Sequence, residues 1–182
     1  ASNAALTPLV YTFTVSASTS PGTFAAKVSY ATGGSPFSVF VYDVDDDGDG
    51  DLAVANNGPN TVSILKNNGD GTFATKVDYA TGGSPYSVFI SDLDGDGDGD
   101  IAVTNFNSNT VSILKNNGNG TFATKVDYAT GINPYVVLVS DLDGDGDCDL
   151  AVTNTNNASV SILKNNGDGT FVARVDYTTD GT

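Results

Sequence analysis

Nine residues that return at a fixed interval constrain this chain more than any other feature. From Asp92 to Asp100 the sequence reads Asp-Leu-Asp-Gly-Asp-Gly-Asp-Gly-Asp, and close relatives of that stretch run from Asp43 to Asp51 and from Asp141 to Asp149. Carboxylates fall at positions 1, 3, 5, 7 and 9 of each: Asp43, Asp45, Asp47, Asp49 and Asp51; Asp92, Asp94, Asp96, Asp98 and Asp100; Asp141, Asp143, Asp145, Asp147 and Asp149. Two such charges roughly 4 Å apart repel by about 4 kcal/mol at an effective dielectric near 20. A loop this dense opens or takes up protons unless a cation shares it. Hard anionic oxygens on a glycine-rich backbone are what Ca²⁺ coordination requires, and Gly48, Gly97 and Gly146 at position 6 permit the bend. We expect about three Ca²⁺, one per loop, with side-chain oxygens from positions 1, 3, 5 and 9 and the backbone carbonyl at position 7. Mg²⁺ suits the loop less well, because it prefers few protein ligands and retained waters. An EF-hand loop opens in the same way but needs a bidentate Glu at position 12 and flanking helices. Here position 12 is Val54, Val103 or Val152, and the flanks read as strands.

The rest of the chain keeps the same period. Asp43, Asp92 and Asp141 are 49 residues apart, as are Pro36, Pro85 and Pro134, Lys66, Lys115 and Lys164, and Phe24, Phe73, Phe122 and Phe171. A period in the forties marks a repeat architecture. Three full units span 34–82, 83–131 and 132–182, preceded by a tail or tag remnant at 1–8 and by residues 9–33, which match only the second half of a unit.

Within the middle unit, Tyr86 to Ser91 alternates and is rich in β-branched and aromatic residues, so it reads as a strand running into the acidic loop. The loop delivers a second strand, Asp100 to Thr104; Asn105 to Asn109 form a turn, and Thr110 to Leu114 a third strand. Asn116-Asn117-Gly118-Asn119-Gly120 is a hairpin signal, since Asn and Gly accept the positive φ of tight primed turns. A fourth strand is expected over Phe122–Tyr128. With no helical periodicity anywhere, the chain is all-β, and four short strands per repeat point to propeller blades, about three and a half of them.

Charge and absent residue types exclude several functions. All 22 acidic residues are Asp, and six, five and five of them lie in the three loops, so the net charge of -15 is concentrated at sites. With seven basic residues in that field, nucleic-acid binding through phosphates is excluded. There is no run of membrane-spanning length. The chain has no His and no Glu, which removes a catalytic triad and leaves no carboxylate pair for glycosidase chemistry once the Asp loops are committed to metal. Lys66, Lys115 and Lys164 are expected as edge or solvent-facing charges, and Tyr79, Tyr128 and Tyr177 as packing residues. The single Cys148 excludes an intrachain disulfide and occupies the position of Gly50 and Gly99, as a tolerated substitution.

The stretch from Tyr86 through the acidic loop to Val103, followed by Val111 to Leu114 and Asn117 to Phe122, resembles the FG-GAP/VCBS repeat, the calcium-binding blade of integrin-type β-propellers and of many secreted bacterial proteins. The resemblance covers about residues 34 to 180. It implies Ca²⁺ in the first inter-strand loop of each blade, a secreted or cell-surface setting, and a non-catalytic role in adhesion or in carbohydrate or protein contact. Family members usually close rings of six to eight blades, and this chain departs from that number. Unpaired sheet edges are templates for another chain, so we expect self-association into a ring or a head-to-tail filament, or the neighbouring blades of a longer chain. An accessory domain of a secreted polysaccharide-active enzyme is a further alternative.

Overall fold

A computed structural model describes residues 26–178. Among them, twelve strands form three four-stranded antiparallel sheets, each ordered as in the sequence, and there is no helix. Blade 1 comprises β1 (Pro36–Tyr42), β2 (Asp51–Asn56), β3 (Thr61–Leu65) and β4 (Val77–Ala80). Blade 2 comprises β5 (Pro85–Ser91), β6 (Asp100–Asn105), β7 (Thr110–Leu114) and β8 (Val126–Ala129), and blade 3 comprises β9 (Pro134–Ser140), β10 (Asp149–Asn154), β11 (Ser159–Leu163) and β12 (Val175–Thr178). The expected tail at 1–8 and most of the half blade at 9–33 lie outside the described residues.

The second strand of the middle blade shows why the blades stack. All six residues of β6 are buried, on both faces. Ile101 and Val103 pack with Ala53, Ala55, Val62 and Ile64 of blade 1. Ala102, on the opposite face, joins Val111 and Ile113 against Val137, Leu150 and Val152 of blade 3. Small residues beside branched ones let one sheet sit closely on the next, and each fully buried Val, Ile or Leu contributes about 1.5–3 kcal/mol. Aromatic contacts continue the stack: Phe40 meets Phe89 at 4.6 Å, and Tyr79 and Tyr128 meet Phe122 and Phe171 of the following blade edge-on, at 5.4 and 5.2 Å. Tyr79 and Tyr128 are therefore packing residues, as expected. Tyr177, in the last blade, is exposed.

The fourth strand is shorter than expected. Phe122 forms only an isolated bridge with Asn116, and pairing resumes at Val126–Ala129. Two residues separate Ile113 from Asn116, but three separate their partners Val126 and Phe122, so one residue bulges out of the ladder. In the turn that precedes it, Asn116 Oδ1 accepts the N–H groups of Gly118 and Gly120, both at 3.1 Å. The positive φ angles of this turn belong to those two glycines, +77° and +69°, and none falls on its Asn residues.

Candidate metal centre

The three loops are built from their last carboxylate outward. Asp51, Asp100 and Asp149 open β2, β6 and β10 and are fully buried. Both oxygens of Asp100 accept backbone N–H groups, from Leu93 at 3.1 Å within the loop and from Asn116 at 2.8 Å in the turn after β7. Asp51 does the same with Val44 and Asn67, and Asp149 with Leu142 and Asn165. Position 9 thus ties the loop to its own blade. Position 1 sets the curvature: the two oxygens of Asp92 accept from Gly95 and Gly97 at 2.7 and 3.0 Å. Asp141 repeats this with Gly144 and Gly146, and Asp43 with Asp47 and Gly48. Position 5 closes a smaller turn, each of Asp47, Asp96 and Asp145 accepting the N–H of the residue two places on.

The fold brings carboxylate oxygens of Asp43, Asp45 and Asp51 within 4.8 Å of one another, and likewise those of Asp92, Asp94 and Asp96, and of Asp141, Asp143 and Asp149. Position 7 stays outside these triads. Asp49, Asp98 and Asp147 lie against Gly69, Gly118 and Gly167 of the turn after the third strand, where a Cβ would come within 3.0, 3.0 and 2.7 Å of the carboxylate. Asp47 and Asp145 also fall outside the triads, while Asp96 and Asp100 share loop 2 with the former inside its triad and the latter bonded below it.

Position 3 carries the test of fit. Oδ1 of Asp45 and Oδ1 of Asp94 are buried without a hydrogen-bond partner. An oxygen shielded from water and left unsatisfied costs about 1–3 kcal/mol, and both belong to a triad. A divalent cation with oxygen ligands satisfies them, so the residues present fit the group. The other oxygen of each is paired with a lysine: Lys66 Nζ lies 2.9 Å from Asp45, Lys115 3.1 Å from Asp94, and Lys164 2.8 Å from Asp143. These lysines are therefore not simple solvent-facing charges. A cation standing 21 residues after position 3 in every repeat was the available sign of that pairing.

Burial and crowding shift the titration of the loops. Asp100 is pushed up to about 6, chiefly by burial and then by Asp94 and Asp96, against the pull of its two backbone N–H partners. Burial also raises Asp51, and burial with the carboxylates of Asp96 and Asp46 raises Asp98. Tyr42, whose ring lies against Gly99 of loop 2, is raised by burial and by Asp92 and Asp46. In loop 3 the hydrogen bond from Lys164 holds Asp143 below its usual range.

A second repeated constellation escaped sequence reasoning. Asn56 Nδ2 donates to Ser63 Oγ at 2.8 Å, and Ser63 donates to Asp78 at 2.5 Å, with Lys76 paired to that Asp. Asn105, Ser112 and Asp127 repeat the chain beside Lys125, and Asn154, Ser161 and Asp176 beside Arg174. It stitches three strands of each blade together. Ser63, Ser112 and Ser161, polar residues spaced by the period inside apolar strands, were its signal. Cys148 lies half-buried, with its Sγ 3.9 Å from Ser91 Oγ of the preceding blade.

Comparisons with known proteins agree with the repeat and the fold. A model of the FG-GAP-like repeat matches residues 43–103, 92–152 and 141–182. Among solved structures, the chain is similar to a lectin of Agrocybe aegerita described as recognising non-reducing terminal N-acetylglucosamine, with 30% identity and a TM-score of 0.54 over 75% of this chain and 37% of the lectin. It is also similar to a streptogramin B lyase, with 21% identity and a TM-score of 0.53 over 78% of this chain and 40% of the lyase; that likeness is one of fold alone. The chain thus spans well under half the length of either. A comparison with curated proteins gave no significant match.

Proposed function

The chain belongs to the FG-GAP-like repeat family, and from that premise we propose that it is a non-catalytic, calcium-clipped propeller segment acting outside the cell in adhesion or binding. The observation that carries Ca²⁺ binding is the pair of buried, unpartnered Oδ1 atoms of Asp45 and Asp94, each inside an acidic triad. Positions 1, 3 and 9 of loops 1 and 3, and positions 1, 3 and 5 of loop 2, would hold the ion. Bound there, it neutralises the carboxylates and ties the first two strands of its blade. Likeness to a lectin supports a carbohydrate as the ligand class. Thermal unfolding with Ca²⁺ and with a chelator tests the proposal. A site filled at a hundred times its Kd contributes about 2.7 kcal/mol, so chelation should lower the melting temperature by many degrees; an unchanged value would overturn Ca²⁺ binding.

A second role, assembly through the outer faces, is favoured by one contrast. Val39 and Val41 of β1 are each 60% exposed, whereas Val88 and Ile90, their counterparts in β5, are 4% and 2% exposed against the preceding blade. On blade 3, Leu138 is likewise bare. Faces built to be covered by a blade favour further blades there, from a second copy in a ring or filament or from a longer chain. Sedimentation of the isolated chain separates these: concentration-dependent association is expected for a second copy, and a monomer at every concentration would overturn self-assembly and leave the blades of a longer chain.

A further inference from the structure

We infer that each acidic loop is also a joint, and that Asn116 and Asn165 are positioning residues coupling cation binding in one blade to the docking of the next; this rests on the calcium binding proposed above. Asn116 belongs to blade 2, yet its Nδ2 donates to the carbonyl of Val44, position 2 of loop 1, at 2.8 Å, as well as to Gly99 of its own loop at 3.3 Å. Asn165 of blade 3 repeats this on Leu93 of loop 2 at 2.7 Å and on Cys148 at 3.0 Å. The orientation of each amide is fixed, because its Oδ1 faces two glycine N–H groups of its own turn.

A lysine crosses the same joint from the other side. Lys66, paired with Asp45, donates to the carbonyl of Asn119 at 2.6 Å, and Lys115, paired with Asp94, donates to that of Asp168 at 2.5 Å. The turn sits so close that a Cβ on Gly120 would come within 2.7 Å of Lys66 Cε and 3.0 Å of Val44 Cγ2, and one on Gly169 within 2.9 Å of Lys115 Cε and 3.1 Å of Asp94 Cβ. Gly71, at the same place in blade 1 and also at positive φ, would meet nothing within 4 Å. Loop 3 has no such turn against it among the described residues. Val44 and Leu93 are each 2% exposed, whereas Leu142 is 49% exposed.

The carbonyl of position 2 lies between the carboxylates of positions 1 and 3 in the chain. Pinning it from the next blade orders those two ligands in advance, and order supplied beforehand is not lost again on binding. Coupling of this kind is reciprocal, so a cation in loop 1 strengthens the docking of blade 2 to the same degree. Loop 3, unpinned, binds more weakly than its sequence suggests.

Calorimetric Ca²⁺ titration tests this in a protein whose loops 2 and 3 are disabled by Asp92→Asn, Asp94→Asn, Asp141→Asn and Asp143→Asn, with folding followed by circular dichroism. Loss of one such hydrogen bond predicts that Asn116→Ala lowers the affinity of loop 1 by about tenfold, while Asn165→Ala leaves it unchanged. Gly120→Ala and Gly71→Ala form a second pair, with the same backbone strain but only the first wedging against loop 1; the first should weaken binding and the second should not. Unchanged affinity in both Asn116→Ala and Gly120→Ala, or an equal loss in Gly71→Ala, would overturn the coupling alone. Failure of the unmodified chain to take up Ca²⁺ would overturn the metal binding on which the coupling rests.

Discussion

The loops from Asp92 to Asp100 and from Asp141 to Asp149 share eight of nine residues, differing only at Gly99 and Cys148, yet they sit in different surroundings. Leu93 of the first is covered by blade 3, and Asn165 of that blade bonds its carbonyl. Leu142 of the second is half open to water. Asp94 lends one oxygen to Lys115 and keeps the other buried and free, and Lys115 reaches on to the next turn. Among the described residues, Lys164 pairs only with its own loop, at Asp143. Nearly the same nine residues therefore make a joint in one place and an exposed clip in the other, and the neighbouring blade decides which.

The largest contrast should come from truncating position 2. Leu93→Ala removes a buried side chain from an inter-blade core and should cost about 2–5 kcal/mol, whereas Leu142→Ala should stay within about 0.5 kcal/mol; urea unfolding of the two variants measures both. Disabling single loops comes next. At a Ca²⁺ concentration a hundred times the Kd of loop 1, Asp43→Asn with Asp45→Asn should forfeit about 2.7 kcal/mol, and Asp141→Asn with Asp143→Asn about 1.4 kcal/mol if loop 3 binds tenfold more weakly. Equal losses would erase the distinction. A smaller effect separates two tyrosines at one repeat position: Tyr128→Ala breaks the edge-on pair with Phe171 and should cost about 0.5–1.5 kcal/mol beyond the area it buries, while the exposed Tyr177 should tolerate alanine.

Titration gives the finest discrimination. Asp100 protonates near 6 in the folded chain, above the range of an unfolded aspartate. Between about pH 4 and pH 6 the folded, chelated chain therefore binds more protons than the unfolded one, so its contribution to stability falls as pH rises through that window and is flat above it. Asp143 behaves oppositely. Its pairing with Lys164 lowers its titration, so the stability it contributes is present at neutral pH and is lost on acidification. Carboxyl NMR titration in the presence of a chelator should separate the two residues in that order, and coincident titrations would contradict the difference in surroundings.

Much of the architecture could be read from local pattern, because a β-strand announces itself within a few residues. The third strand, Thr110 to Leu114, has the same bounds in sequence and structure. The fourth does not: read as continuous over Phe122–Tyr128, it pairs at Phe122 and then only from Val126, because a bulge interrupts the ladder between them. The acidic loops were visible for the same local reason, and the fold gathers three carboxylates in each. The joint was not visible. Asn116 and Val44 are 72 residues apart, an interval that is no multiple of the 49-residue period, so comparing repeats in register never brings them together. Only stacking of successive blades does.

Calorimetric titration of Ca²⁺ into the unmodified chain tests the account most directly. Three equivalents are expected, two of them bound more tightly than the third. Absence of uptake, or three indistinguishable sites, would contradict it.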